Sequence, residues 1–297
     1  MTFFSVVIPV YNRAHLLCET IDTVLSQTYT HFELIIVDDG STDNTGETIK
    51  KRYSSEARIR YYYKENGERG AARNYGIKHA NGEYVVIFDS DDYMHADYLS
   101  LLEEKLLKDT SINFIATKYQ LKEDTGRITG GGSINLKEGL YNYKCLLQGN
   151  YFGCMYAVKK SNPNLKLFPE DRKYATLEDW IFILNNLRYD NLYLIDKIAI
   201  SVRHNDSRST ADNQRVIKVR DLATEWILEN VSLDHSEKQE LTAWSHYYKA
   251  IHYYLDHNRK DSFNEVAKAI KIGGLNKNFT LMLMKSIIGR KIITTIR

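Results

Sequence analysis

Two groups of carboxylates stand where apolar runs end. Asp38 and Asp39 follow FELIIV, and Asp89, Asp91 and Asp92 follow EYVVIF. Extended residues alternate faces, so Asp89 and Asp91 point one way and Ser90 the other. Two neighbouring carboxylates repel unless a cation joins them. Oxygen ligands of this kind suit Mg²⁺ or Mn²⁺, which complete their shells with substrate phosphates. A lone Asp-x-Asp reads more simply as a solvated strand end with helix caps. A second acidic strand end at the same rim favours a site.

Phosphate needs a cationic or amide-rich cradle. The chain has no GxxxxGK[ST] and no GxGxxG after its first apolar run, so a P-loop and a dinucleotide fingerprint are both excluded. It has NGERGAARN, which offers Asn66, Arg69 and Arg73. Taken alone, Arg73 reads as an exposed helical ion-pair partner. Thr176-Leu177-Glu178-Asp179 has Thr three residues before an acid, the pattern of a capping box.

These residues need a frame. Strands are predicted over Ser5–Val10, Phe32–Val37, Arg58–Tyr63 and Glu83–Phe88. Helices are predicted between them over Ala14–Gln27, Thr42–Tyr53 and Gly70–Ala80. Near-continuous apolar strands separated by helices argue for a parallel sheet covered on both faces. Such sheets bind ligands beyond the carboxyl ends of their strands. A helix over Asp97–Lys108 and a strand over Ile112–Tyr119 follow. Glu123–Gly139 reads as a loop or hairpin. Strands at Tyr151–Val158 and Leu192–Val202 bracket a helix at Leu177–Leu187. From about Arg215 the pattern is helical, and the turn-rich HNDSRSTADNQ places a boundary at 205–215.

The 297 residues fit about two domains, or one α/β domain with an appendage. With 43% hydrophobic and 26% charged residues the chain is globular, not disordered, collagen-like or a coiled coil. A net charge of +2 carries no nucleic-acid footprint, but it hides an asymmetry. Residues 1–214 hold 26 basic and 29 acidic side chains, and residues 215–297 hold 14 and 9. After Glu265 come seven basic residues and no acid. Three scattered cysteines predict a reducing, cytoplasmic setting and exclude a zinc ribbon. The N-terminus reads as a buried strand rather than a signal peptide, and no stretch is apolar enough to span a bilayer. Most of the 22 tyrosines should serve packing, with some placed for sugar contacts.

VVIPVYN, VDDGSTDNT and NGERGAARNYGIKHANGEYVVIFDSDD together resemble the signature of glycosyltransferase family 2. The resemblance is close over about residues 1–95 and looser to about 210. It implies the α/β GT-A fold, a Rossmann-like mixed sheet, here with a C-terminal helical extension. The catalytic domain would span 1–210, with 1–95 as the nucleotide-binding half and 96–210 as the acceptor-side half; 211–297 would be helical. The resemblance implies that Asp39 holds the uracil side of a nucleotide, with Pro9 and Tyr11 lining the base pocket. It places Arg73 near the nucleoside or diphosphate with Asn66 nearby, Asp89 at the ribose and Asp91 on the metal. Asp179 of the Glu178-Asp179 pair would be the catalytic base, with Glu178 among the substrate-binding residues and Trp180 lining the sugar pocket, the acceptor pocket or buried in the core. In VRHNDSRST, the resemblance implies that Arg203, Ser207 and Arg208 hold phosphate oxygens. His204 would be a further metal ligand, although a surface histidine is the plain alternative.

The implied activity is metal-dependent, inverting hexosyl transfer from a nucleoside diphosphate sugar, UDP-linked by the motif, to a glycan or lipid-linked glycan, with Mn²⁺ or Mg²⁺ as cofactor. A metal-dependent nucleotidyltransferase would want a glycine-rich basic loop after the first strand, and YNRAHLL has none. A non-catalytic sugar-nucleotide binder is disfavoured by the intact acidic motifs. In the tail, Leu281, Met284, Ile288, Ile292 and Ile296 recur at helical spacing, with Lys285, Arg290, Lys291 and Arg297 beside them. Such a helix either lies on the inner face of a membrane or packs on the catalytic domain or a second copy in a homodimer.

Overall fold

The computed structural model describes residues 1–204 and 212–289. It opens with β1 (Phe4–Val10), α1 (Ala14–Leu25), β2 (Phe32–Asp38), α2 (Thr45–Arg52), β3 (Ile59–Tyr63), α3 (Glu68–His79) and β4 (Tyr84–Ile87). This is the predicted alternation. Helix α2 starts three residues late because Asn12 Oδ1 accepts from the amides of Thr42 and Asp43 and holds them in a turn. Then come β5 (Tyr93–Met94), α4 (Tyr98–Lys108), β6 (Phe114–Glu123), β7 (Ile128–Gly130), β8 (Gly139–Tyr141), β9 (Tyr156–Lys159), α5 (Glu178–Leu187) and β10 (Leu192–His204). Four helices close the described chain: α6 (Asn213–Asn230), α7 (His235–Leu255), α8 (Arg259–Gly273) and α9 (Lys277–Ile288).

The strands form one sheet in the order β3-β2-β1-β4-β9-β6-β10-β5, with β7 paired to β6 and β8 to β10. The first four strands are mutually parallel. Strand β9 inserts antiparallel between β4 and β6, which makes the sheet mixed. Residues 151–155, expected to be strand, are instead turns against the functional cleft.

All of β1 and β2 is buried because both sheet faces are covered. Val7 joins one apolar cluster with residues of α3 and α5, while Val6 and Ile8 join another with residues of α1 and α4. The first cluster runs on into Ala223 and Ile227 of α6, Val231 at its end and Leu241 of α7, so it includes residues from both sides of the expected boundary. A third cluster, built on Ala243, Ala250, Val266, Ala269, Phe279 and Met282, belongs to α7–α9 alone. No helix among the described residues is long and apolar enough to cross a membrane.

Candidate active site

A cleft of about 600 Å³ opens beyond the carboxyl ends of β1, β2 and β4. Pro9 and Tyr11 line it from β1, Asp39 from β2, and Asp89, Asp91 and Asp92 from β4. Asn66, Arg73, Asp179 and Arg203 also reach it. Residues as far apart in the chain as Pro9 and Arg203 therefore meet where the strand ends predicted a ligand.

The DDG turn divides the labour of its two acids. Asp38 is buried and accepts from the Tyr61 hydroxyl at 2.7 Å and the Ser41 amide at 2.7 Å, so it ties β2 to β3 and to its own turn. It does not line the cleft. Asp39 does, and its Oδ1 accepts from Lys64 Nζ at 2.6 Å and from the Gly67 amide at 3.0 Å. Gly40 is required here. It has φ +81°, and a Cβ would sit 2.8 Å from the Asn66 amide nitrogen. That close approach lets Asn66 Nδ2 donate to the Asp39 carbonyl at 2.8 Å, while its Oδ1 accepts from Arg172 Nη2 at 2.5 Å. Lys64, the first residue after β3, could have been read from its place at the same strand-end rim. Arg172 gave no comparable signal.

Helix α3 explains the spacing of RGAARNYG. A Cβ on Gly76 would lie 2.2 Å from Val7 Cγ1, and one on Gly70 would lie 2.4 Å from the Pro169 carbonyl oxygen. The two glycines let α3 sit against β1 and the 168–169 segment. Arg73 between them is consequently buried, not exposed, and its guanidinium stacks over the Phe168 ring at 5.3 Å. A buried guanidinium must be paired. Arg73 Nη1 donates to Glu178 Oε1 at 2.6 Å, and Nη2 donates to Asp89 Oδ1 at 2.7 Å. Burial pulls its pKa down, but the negative neighbours, with Asp89 and Glu178 among them, hold it well above the ordinary value. Glu178, expected among substrate-binding residues, is buried outside the cleft lining and acts by fixing Arg73.

Asp179 lies in the first turn of α5 and faces the cleft. Burial, with the negative charge of Glu178 beside it, raises its pKa to about 7, against the opposing pull of Arg73. Asn150 Nδ2 donates to Asp179 Oδ2 at 3.0 Å, and the Trp180 amide donates to Oδ1 at 2.7 Å. Nothing in the sequence marked Asn150. The capping box does not form. Leu177 is the N-cap, and the Thr176 hydroxyl is buried with no hydrogen-bond partner. Thr176 has φ +100°, a region β-branched residues avoid, and it too lines the cleft. The indole of Trp180 is a core group rather than a pocket wall. It is fully buried, donates from Nε1 to the Leu146 carbonyl at 2.8 Å, and lies 3.7 Å from the Arg220 guanidinium.

Asp89, Asp91 and His204 do not assemble into a three-residue metal site, and no group of three or more such ligands occurs among the described residues. Arg73 engages Asp89, and His204 ends β10 opposite Glu123, outside the cleft lining. Asp91 lines the cleft with a hard carboxylate. One such ligand with diphosphate oxygens fits the way Mg²⁺ and Mn²⁺ bind. Arg203 reaches the cleft but pairs with Glu19 at 2.5 Å and with the Tyr93 hydroxyl. Ser207 and Arg208 lie outside the described residues, as do tail residues 290–297.

This is the GT-A fold, with a cleft beyond the carboxyl ends of its parallel strands. The model of the family "Glycosyl transferase family 2" matches residues 5–162, and the chain belongs to that family. An uncharacterised glycosyltransferase of Rickettsia felis is 41% identical over 126 residues, 42% of this chain and 21% of that protein. The aligned segment spans about a fifth of the length of several such curated relatives. Among solved structures, Staphylococcus aureus TarS 1-349 in complex with UDP-GlcNAc superposes with TM-score 0.68 at 20% identity, covering 99% of this chain and 89% of that one. A Pyrobaculum calidifontis mannosyltransferase in complex with GDP-Man and Mn²⁺ superposes with TM-score 0.62 at 16% identity, covering 98% and 82%.

Proposed function

We propose that this chain transfers a sugar, with inversion, from a nucleoside diphosphate sugar to an acceptor hydroxyl. The observation that carries the reading is Asp179, a buried carboxyl held by Asn150 in the cleft, with its pKa raised to about 7. A group so tuned accepts a proton near neutral pH. Asp179 takes the proton of the acceptor hydroxyl as that oxygen bonds to the anomeric carbon and the bond to the nucleoside diphosphate breaks, a single displacement with no covalent intermediate. Asp39, fixed by Lys64 and Gly67, is placed to accept from the base, with Pro9 and Tyr11 beside it. Arg73, held between Glu178 and Asp89, presents positive charge toward the diphosphate. Asp91 would hold the divalent cation, which neutralises charge on the departing diphosphate. TarS with UDP-GlcNAc and the mannosyltransferase with GDP-Man support a nucleotide-sugar donor. The favoured donor is UDP-linked, and the acceptor class is a polysaccharide or lipid-linked glycan, received by the 120–175 side of the cleft.

A thermal-shift series with UDP-GlcNAc, GDP-mannose and their free diphosphates, with and without Mn²⁺, tests this. A donor that binds the native state raises the melting temperature. We expect a UDP-sugar to do so, more strongly with Mn²⁺, and Asp91→Asn to remove the metal increment. No shift with any nucleotide, or undiminished turnover in excess chelator, would overturn the corresponding part of the reading.

A further inference from the structure

Helix α9 has two unlike faces. Phe279, Met282 and Ser286 are buried, the first two in the small core shared with α7 and α8. On the other side Leu281, Met284, Ile287 and Ile288 are 46%, 53%, 55% and 43% exposed. Leu275, in the turn before the helix, is 75% exposed. With its packed face already satisfied, α9 turns a continuous apolar strip to solvent, the kind of surface that marks an interaction site. Exposed Lys277 and Lys285 lie along it, and residues 266–297 carry seven basic side chains and no acidic one.

We propose that this face of α9 docks on an anionic lipid surface. An apolar strip with basic residues at its margins is the pattern of a helix lying in a membrane interface, its large side chains among the acyl chains and its lysines at the headgroups. A second copy fits less well. A two-fold contact would set Lys277 and Lys285 of each protomer against the same strip, with no carboxylate on it to pair them.

Co-sedimentation of the 297-residue chain with phosphatidylcholine vesicles, with and without phosphatidylglycerol, tests the proposal. The chain should pellet with the anionic vesicles at low salt, less at high salt, and not with neutral vesicles. Leu281→Glu with Met284→Glu should reduce the bound fraction by about tenfold or more. Lys277→Glu with Lys285→Glu should reduce binding to the anionic vesicles. All four side chains are exposed, so both variants should keep the parent's circular dichroism and melting curve. Equal pelleting of parent and apolar-face variant overturns the proposal, as does no pelleting at all. A dimer in light scattering that the same substitutions dissociate, without vesicle binding, would assign the face to a second copy.

Discussion

Asp179 keeps a proton through the pH range in which an ordinary aspartate has lost it. Its ordinary value of 3.8 is raised to about 7 in the fold. The native state therefore binds this proton more tightly than the unfolded chain, and folding loses stability as pH rises through that window. Asp179→Asn removes the charge that burial penalises. It should raise the melting temperature more at about pH 8 than at about pH 5, while lowering turnover by on the order of 10²-fold or more. The wild-type kcat/KM should climb with an apparent pKa near 7, and Asp179→Asn should flatten that limb. Thr176 offers the complementary case. Its left-handed backbone and unpartnered hydroxyl both cost stability, and glycine relieves both at the expense of a freer unfolded chain. Thr176→Gly should gain about 1 kcal/mol in urea denaturation. If the strain aims Asp179, turnover falls at the same time. Asp39, Asp91 and Asp179 were legible as residues because motif order named them. The isolation of Thr176 was not, since a backbone angle leaves no mark in composition.

At the scale of elements, α3 decides whether the site assembles. Its two glycines set the distance to β1 and to Pro169, and that distance puts Arg73 between Glu178 and Asp89. Gly70→Ala would drive a methyl group into a backbone carbonyl that has no rotamer to escape with. It should cost about 1–3 kcal/mol in chemical denaturation, and it should weaken nucleotide binding because Arg73 moves with the helix. The first four strands and three helices were readable because each combines one clear periodicity with a turn. Strands β5 and β8, two and three residues long, carry no period to read. The insertion of β9 between β4 and β6 is a pairing over long sequence distance, which local pattern does not encode. The capping box misled because Thr176 takes the positive φ and leaves Leu177 at the N-cap.

Across the whole molecule, the C-terminal helices reach α5 through one side chain in particular. Arg220 of α6 is fully buried, with its guanidinium 3.7 Å from the Trp180 ring and 4.8 Å from the Tyr248 ring. Burial without an adequate counter-charge lowers its pKa to about 10, and Nη2 has no hydrogen-bond partner. Its packing and its charge therefore pull in opposite directions. Arg220→Met keeps most of the stacked length and discards the buried charge, so its loss of stability should be smaller than that of Arg220→Ala, which we expect to cost about 2–5 kcal/mol. Urea midpoints of the two variants measure the difference. Composition suggested two regions, but it could not reveal that one apolar cluster serves both.

The third cluster has a different consequence. It shares no residue with the two that flank the sheet, so α8 and α9 rest on α7 through a small store of apolar contact of their own. Such a unit opens in solution without the rest of the molecule following it. Amide protons of Val266 and Ala269 should therefore trade for deuterium well before those of Val7 and Ile35, whose exchange waits for the sheet itself to come apart.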